Sequence, residues 1–502
     1  MVNQVKAGAA LSYVIIGINI LVGVLYTPFM LRSLGQVEYG LYSLAASVIA
    51  YLTILDLGFG NAIVRYTAKF RAEGRLEEQQ EMFGMFLRLY TLLGAIALTI
   101  GLALTLNIDA LFGTSMSSGE MQSMRTMLIL MSLNLAFTFP LSLFGSIISA
   151  YERFVFQKVV NIIRIIVNPL VMVLLLAMGY KAVALVVATT IFNLITLLIN
   201  LYYCLAHLKI KVRFAPINFS FLHEVSIYSF WILLSVIMDR IYGSTGQFIL
   251  GIYRDVEQVA RYSISVQLKD MFYLFSTAIT GVFLPRVTAM VSRGVAEGEL
   301  SDIFIKTGRI QYIIIAAIFS GFVVLGRPFI TLWAGADYSS AYLPTLLLFA
   351  ASITPLIQNI GIIILQAQNR LKFRSLLYLA ISLSSIALSI PLAIRYGGVG
   401  CAVATSASLL LGQGVIMNIY YARAIKINIA RFWGEIAKLS VVPTIAIVVG
   451  LSLDIQIDSI GKFMVAAICF MALYTPAIWL LGMNHEERGM ILSPFRGSLK
   501  RV

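Results

Sequence analysis

Two stretches of sequence, one in each half of the chain, decide the fold. Residues 176–189 read LAMGYKAVALVVAT, and residues 392–405 read LAIRYGGVGCAVAT. Seven of the fourteen positions are identical, in the same order and at the same spacing. A match of this length within one chain is the signature of an internal structural repeat. The sequence therefore predicts that the protein is built from two copies of one unit.

Shorter matches extend the repeat at nearly the same offset. Ala150-x-x-Arg153-x-x-Phe156 returns between Ala367 and Phe373, and the dipeptide Tyr-Ser at 42–43 returns at 262–263. Six apolar segments fit between the copies. Because six is even, both copies cross a membrane in the same direction, which is a common design of secondary transporters. We predict a six-helix bundle at 1–206, a cytoplasmic linker at 207–224, a second bundle at 225–422, and two extra helices with a cytoplasmic tail at 423–502.

The composition assigns the chain to the membrane. Of its 502 residues, 60% are hydrophobic and only 12% are charged, against roughly 45–50% and 25% in soluble domains. These values exclude a soluble enzyme, a disordered chain and a secreted disulfide scaffold. A spanning helix needs about 20 mostly apolar residues. That length predicts an all-α polytopic membrane protein with about fourteen transmembrane helices at 8–31, 39–60, 82–106, 125–150, 156–178, 182–206, 225–250, 258–283, 306–328, 340–366, 373–394, 398–422, 436–453 and 460–482.

The distribution of Lys and Arg predicts the orientation. With the N-terminus in the cytoplasm, the segments on that side hold 23 basic residues and the opposite loops hold 4. Cytoplasmic loops carry such an excess, so we expect both termini in the cytoplasm. The net charge of +14 then records orientation, and nucleic acid is not an expected partner.

Two pairs of opposite charges lie deep in predicted spans. Asp239-Arg240 and Lys269-Asp270 each lie about 15 residues from the turn between spans 7 and 8, which places both about 20 Å down the helices at one depth. Charges at that depth normally face a partner or a cavity. The pairs are predicted either to lock the two helices or to bind an anionic head group and a coupling ion. Asn19 is the repeat partner of Asp239 and is a candidate for the same site, or a helix–helix hydrogen bond.

Three further charges are candidates in the first bundle. Arg164 and Arg88 could offer cations to a phosphate-bearing substrate, although Arg88 could instead extend to the cytoplasmic interface. Asp56 precedes Gly58 and Gly60, and glycine permits a bend or close packing. Its carboxylate could pair with Arg65 or couple transport to H⁺ or Na⁺.

Several kinds of site are excluded by the sequence. No GxxxxGK[ST] phosphate loop occurs, and the three cysteines lie in apolar stretches with no CxxC pair. We therefore expect no catalytic residues, no metal and no organic cofactor. The only cofactor left open is a coupling ion, H⁺ or Na⁺.

Residues 32–71 carry a recognisable pattern. Leu34-Gly35 is followed by Glu38-Tyr39-Gly40-Leu41-Tyr42 and by Gly58-Phe59-Gly60-Asn61. This pattern resembles Wzx-type polysaccharide flippases of the multidrug/oligosaccharidyl-lipid/polysaccharide (MOP) exporter superfamily, and the fourteen-span layout extends the resemblance over nearly the whole chain. The resemblance implies a MATE-like fold and alternating access. It also implies export of a polyprenyl-pyrophosphate-linked oligosaccharide across the bacterial inner membrane, with a polysaccharide polymerase and glycosyltransferases as partners.

Two other functions stay open at this point. The same fold carries multidrug and small-cation antiporters, and a membrane scaffold of a glycan-assembly complex would not transport at all. Cleft acids and aromatics without bases would favour the antiporter, whereas a scaffold would need no charge at midplane.

Overall fold

A computed structural model describes residues 4–113, 115–292, 295, 297–368, 370–453 and 456–489. The predicted basic tail residues Arg496, Lys500 and Arg501 therefore lie outside the described residues, as does Arg293. Within the described ranges the chain forms α-helices joined by short turns. The helices are α1 (Gln4–Leu52), α2 (Phe59–Ala72), α3 (Leu76–Leu106), α4 (Ile108–Phe112), α5 (Ser118–Ala150), α6 (Phe154–Ala177), α7 (Ala182–Ala206), α8 (Phe219–Tyr253), α9 (Val256–Ser292), α10 (Glu297–Trp333), α11 (Tyr342–Ile357), α12 (Asn359–Ala367), α13 (Leu371–Leu409), α14 (Met417–Ala424), α15 (Ile429–Ser452) and α16 (Ile460–Ala477).

The all-helical membrane fold is confirmed, but the number of fourteen spans is not. Among the described residues, ten helical stretches are long and apolar enough to cross a membrane, or eleven if the bent α8 is one span. Helix α9, at the predicted eighth span, is not among the ten; Arg261, Lys269 and Asp270 interrupt its apolar run. Two of the ten, of 63 and 53 residues, are each long enough for two crossings.

Glycines interrupt both of these long stretches. Gly35 has φ 73° inside α1, and Gly397 has φ 60° inside α13. Glycine adopts positive φ without the steric cost that a Cβ imposes. Gly35 falls between predicted spans 1 and 2, and Gly397 falls between predicted spans 11 and 12. The predicted positions of these two turns therefore coincide with real breaks in the helices.

The chain divides into two compact units. Unit 1 contains residues 1–263 and 389–400, and unit 2 contains residues 264–388 and 401–502. Unit 1 has a core of apolar side chains from α2, α3 and α5, centred on residues such as Phe83, Phe86, Tyr90 and Phe139. The predicted bundles at 1–206 and 225–422 follow the sequence repeat, so their bounds differ from those of the two units. The division into these bundles stays a prediction.

Inside unit 1, two turns contact each other in the first repeat copy, and the corresponding two turns contact each other in the second. The Glu38 carboxylate accepts a hydrogen bond from the Ala182 amide at 3.2 Å and lies 3.5 Å from Lys181. In the second copy, the offsets of the sequence matches bring Gln258 to the place of Glu38 and Gly397 to the place of Lys181. A Cβ on Gly397 would overlap the side-chain oxygen of Gln258. The same pair of turns meets in both copies, which supports the duplication.

Unit 2 encloses a buried ion cluster where α10 packs on α15. The Arg309 Nε donates to Glu487 at 2.6 Å, and its Nη1 donates to Glu435 at 2.6 Å. The side chains of Arg309 and Glu487 are only 6% and 3% exposed. The carboxylates compensate the buried guanidinium, so the cluster attaches the segment after α16 to α10 and α15.

Candidate functional site

A stripe of polar side chains runs along α6 in unit 1. Gln157, Asn161, Arg164 and Asn168 are spaced by four, three and four residues, so they share one face of the helix. They span about 16 Å at 1.5 Å per residue. Helix α7, which packs against both α5 and α6, carries Thr190, Asn193 and Asn200 at similar spacing; together these side chains form what we call the polar seam.

Arg164 provides the charge of the polar seam. It is the eleventh of the 24 residues of α6, which places it near the middle of that span, and its side chain is half-buried. Its Nη1 donates to the Asn193 side-chain oxygen at 3.5 Å, and it forms no ion pair with a described residue. A membrane-embedded cation without a carboxylate partner among the described residues is a candidate for binding an anion.

Asn193 orients this arginine. Its side-chain nitrogen donates to Asn134 Oδ1 and to Thr138 Oγ1 on α5, both at 2.8 Å. With both amide protons used, the Asn193 oxygen is left facing Arg164. The guanidinium is therefore positioned by a network that connects α5, α6 and α7.

Asp56 lies at a break between two helices. Residues Thr53–Asp56 form a 3₁₀ turn, and Leu57 and Gly58 have φ values of 54° and 72° before α2 begins. A Cβ on Gly58 would lie 3.0 Å from the Ile232 side chain, so α8 packs directly against this break. The sequence predicts a permitted bend here, and the structure has a complete interruption.

The Tyr90 hydroxyl faces the Asp56 carboxyl from α3. That hydroxyl is buried and has no hydrogen-bond partner among the described residues. Asp56 is therefore a half-buried acid in a region without regular backbone hydrogen bonding. The Arg65 guanidinium lies 5.7 Å from the centre of the Tyr66 ring, and its pairing with Asp56 stays a prediction.

Arg88 contacts the linker between α7 and α8 and does not line either of the polar cavities described below. Its Nη2 donates to the Ala215 carbonyl oxygen, and its guanidinium lies 5.7 Å from the centre of the Phe214 ring. The Arg213 amide also donates to the Gln80 carbonyl at 3.1 Å, and a Cβ on Gly84 would overlap the Arg213 carbonyl oxygen. The extended segment 208–218, which we call the linker strap, is thus fixed on α3.

The remaining candidates are Asn19 on α1, the charge pair on α8 and the charge pair on α9. Asn19 is exposed and donates to its own helix at the Ile15 carbonyl, 2.9 Å away. Asp239 and Arg240 are exposed on α8. Lys269 is buried; its Nζ lies 3.2 Å from the Asp270 carboxylate of the same helix. The predicted meeting of the two charge pairs stays a prediction.

Two other polar cavities are already neutralised by their own side chains. In unit 1, a cavity of about 280 Å³ is bordered by α2, α3 and the linker strap, and its Arg75 is bonded to Glu73 at 2.9 Å and to Glu78. These carboxylates raise the pKa of the Arg75 guanidinium. In unit 2, a cavity of about 470 Å³ is lined by Arg309 and its glutamates. Carboxylates outnumber cations in both linings, so Arg164 is the best candidate for binding an anion.

The sequence analysis missed most of the polar seam. An analysis based on charge does not identify neutral side chains. It therefore missed Asn168, Asn193 and Asn200 of the polar seam and the supporting Asn134 and Thr138 on α5. The spacing of Gln157, Asn161, Arg164 and Asn168, which is that of a single helix face, could have identified the α6 side of the polar seam, including Asn168.

The comparisons with known proteins agree with this architecture. The sequence profile of the family described as "Polysaccharide biosynthesis protein" matches residues 5–291. The uncharacterized membrane protein EpsK of Bacillus subtilis (strain 168) is 21% identical over 496 residues, covering 95% of each chain.

Solved structures show the same fold. The lipid II flippase MurJ in its inward closed conformation superposes with a TM-score of 0.70 at 17% identity, over 93% of this chain and 98% of that one. An inward-facing multidrug resistance MATE family transporter of the MOP superfamily gives a TM-score of 0.59 at 12% identity, over 84% and 99%. The chain therefore belongs to the polysaccharide biosynthesis protein family and has the MOP fold of MurJ and the MATE transporters, as the resemblance of residues 32–71 implies.

Proposed function

We propose that this protein is a flippase that moves a polyprenyl-pyrophosphate-linked oligosaccharide across the bacterial inner membrane by alternating access. The observation that carries the proposal is Arg164, a half-buried cation near the middle of its span without a carboxylate partner among the described residues. Phosphate is the anion that a lipid-linked sugar brings into the membrane, and a guanidinium binds phosphate through charge-assisted hydrogen bonds.

The composition of the polar seam favours this cargo over the alternatives. An antiporter for cationic drugs would need an acid where Arg164 stands, because a cation repels a cationic substrate. A scaffold that does not transport would gain nothing from a membrane-embedded cation, which costs at least about 2.5–3.5 kcal/mol. Arg240 and Lys269 remain further candidates for the head group. The polysaccharide polymerase and glycosyltransferases remain proposed partners, and both termini are proposed to be cytoplasmic.

The test replaces Arg164 with glutamine, which keeps most of the side-chain volume and removes the charge. We expect loss of surface polysaccharide in cells and of lipid-linked sugar translocation in reconstituted vesicles, with normal protein in the membrane. Lys181→Gln is the matched control, because Lys181 is an exposed base outside the polar seam whose ion pair with Glu38 is peripheral. Normal translocation by Arg164→Gln would contradict the head-group role.

We further propose that H⁺ or Na⁺ couples to transport through Asp56, with Asp239 and Asp270 as additional candidates. The position of Asp56 in an irregular segment beside Tyr90 supports this choice. Asp56→Asn should remove the dependence of translocation on a pH or sodium gradient. Asp109→Asn, in the short helix α4 and paired with Arg125, should keep it. An unchanged ion dependence in Asp56→Asn would exclude this residue.

A further inference from the structure

The amides and hydroxyls around Arg164 form a second kind of binding group in the polar seam. We propose that they bind an uncharged, hydroxyl- or acetamido-bearing sugar next to the phosphate, so that the protein selects a cargo whose proximal sugar is neutral. This inference rests on the proposed function and names the class of cargo that the same site accepts.

The charge of the three helices sets the class of sugar. Between residues 126 and 150 of α5 and along the whole of α7 there is no charged side chain, and α6 carries only Lys158 and Arg164. Lys158 lies in the first turns of α6, so Arg164 is the one charge near the middle of these helices. One cation compensates one anionic group. The pyrophosphate diester already carries two negative charges, so an acidic sugar would add a third with no cation to compensate it, and an amino sugar would bring a positive charge that repels Arg164.

The polar seam also offers hydrogen-bonding capacity that the protein does not use. The side-chain oxygens of Asn168, Thr190 and Asn200 are buried and have no hydrogen-bond partner among the described residues. Buried polar atoms are normally paired with protein or water. An asparagine amide presents both a donor and an acceptor, which matches a sugar hydroxyl or acetamido group.

Other members of the polar seam are already engaged and act as supports. Gln157 donates to the Gly145 carbonyl at 2.6 Å and accepts from Ser149 at 2.8 Å. Asn193 is bonded to α5 and to Arg164. The groups that remain for cargo are therefore Asn168, Thr190 and Asn200, on either side of the positioned guanidinium.

Asn168, Thr190 and Asn200 are half-buried as residues, although their side-chain oxygens are enclosed in this conformation. These oxygens lack partners until cargo binds. We therefore expect the site to favour a cargo that supplies hydrogen-bond donors to them over a cargo that does not.

The experiment measures binding of three lipids to the full-length protein in nanodiscs. The probes are undecaprenyl pyrophosphate, the same lipid carrying one N-acetylglucosamine, and the same lipid carrying one glucuronic acid. We expect the neutral sugar to bind at least about fivefold more tightly than the bare lipid, which is the factor that one net hydrogen bond supplies. The acidic sugar should bind no more tightly than the bare lipid.

Two nearly isosteric variants assign this preference to the polar seam. Asn168→Leu and Thr190→Val should each reduce the ratio between neutral-sugar and bare-lipid affinity severalfold, while the affinity for bare lipid stays the same. Arg164→Gln should weaken both lipids together. Asn107→Leu is the matched control, because Asn107 is exposed at the end of α3 and its side chain donates to the Ala103 carbonyl of that helix.

The outcomes separate the two proposals. Failure to bind any of the three lipids would contradict the proposed function. Equal binding of all three by wild type, or an unchanged ratio in Thr190→Val, would leave the flippase in place and overturn the sugar site. Thr190→Val changes only a hydroxyl to a methyl group, so it keeps the inference testable if Asn168→Leu does not fold.

Discussion

Replacing Glu487 with glutamine should destabilise unit 2 strongly, although it alters a single charge in the segment after α16. Glu487 receives two hydrogen bonds from the Arg309 guanidinium, at 2.6 and 3.0 Å, and a third from the Asn484 amide at 2.9 Å. Its side chain and that of Arg309 are almost fully enclosed. The substitution therefore leaves the buried Arg309 guanidinium with one carboxylate partner, that of Glu435, in place of two.

The magnitude follows from what remains after the change. Removing one partner of a buried ion pair costs about 3–5 kcal/mol. Arg309 keeps its bond to Glu435 at 2.6 Å and to the Gly482 carbonyl at 3.2 Å, so we expect a cost at or just below the lower end of that range, about 2–3 kcal/mol. For a cooperative unit of this size, each kcal/mol shifts the melting temperature by roughly 2–4 °C. We expect a decrease of about 5–10 °C.

The assay is thermal unfolding of the purified protein in detergent, followed by intrinsic fluorescence. Glu486→Gln is the matched control, because Glu486 is the adjacent residue and pairs with Lys306 at 2.6 Å with side chains 71% and 32% exposed. Exposed pairs contribute about 0–1 kcal/mol, so this variant should melt close to wild type.

A double variant separates charge from packing. Arg309→Met with Glu487→Met removes both buried charges and should recover much of the stability lost in Glu487→Gln. If Glu487→Gln melts together with Glu486→Gln, the buried cluster does not stabilise the protein as its geometry implies, and the reasoning fails.

Two further predictions concern other parts of the chain. Gly84→Ala should displace the linker strap from α3, because the new Cβ overlaps the Arg213 carbonyl. Proteolysis at 208–218 should therefore accelerate. Gly119 has open space around it, so Gly119→Ala should behave as wild type. Lys306 lowers the pKa of the Glu486 carboxyl, so this pair stabilises the folded state above the ordinary pKa of a glutamate and ceases to do so as the pH falls through the lowered value. The hydrogen-exchange protection of residues 484–488, corrected for the pH dependence of intrinsic exchange, should therefore fall more between pH 6 and about pH 3 in wild type than in Lys306→Gln, and equal decreases would contradict the pairing.

The sequence predicts the breaks of this fold better than its number of spans. Gly35 and Gly397 lie where the apolar runs are interrupted by charge, and their positive φ values explain why glycine stands there. The count of spans is harder to obtain, because helices continue through turns and past the membrane faces. Helix α10, for example, begins at Glu297, well before the predicted span at 306–328. Hydropathy measures where a helix is apolar, whereas backbone hydrogen bonding determines where it ends.

The candidate site shows a different limit. Charge identifies Arg164 and Arg88 equally well from sequence, since both are arginines within apolar segments. The structure separates them through their neighbours: Arg88 donates to a backbone carbonyl of the linker strap, and Arg164 faces an asparagine that other side chains hold in place. Spacing along one helix gives the face on which a side chain lies, but not which neighbouring helix that face meets.

The difference between the two arginines also bears on how a cation is kept available in a membrane. A carboxylate close to Arg164 would compensate its charge and compete with phosphate for it. An asparagine oxygen at 3.5 Å orients the guanidinium with little charge compensation, because an amide carries a dipole rather than a net charge. Asn193→Asp is therefore more informative than a substitution that removes the polar group. The new carboxylate should still hold Arg164 in place but compensate its charge. Binding of the head group should therefore fall while the protein stays folded. If Asn193→Asp bound undecaprenyl pyrophosphate as wild type does, the availability of the Arg164 charge would not be what binds the head group.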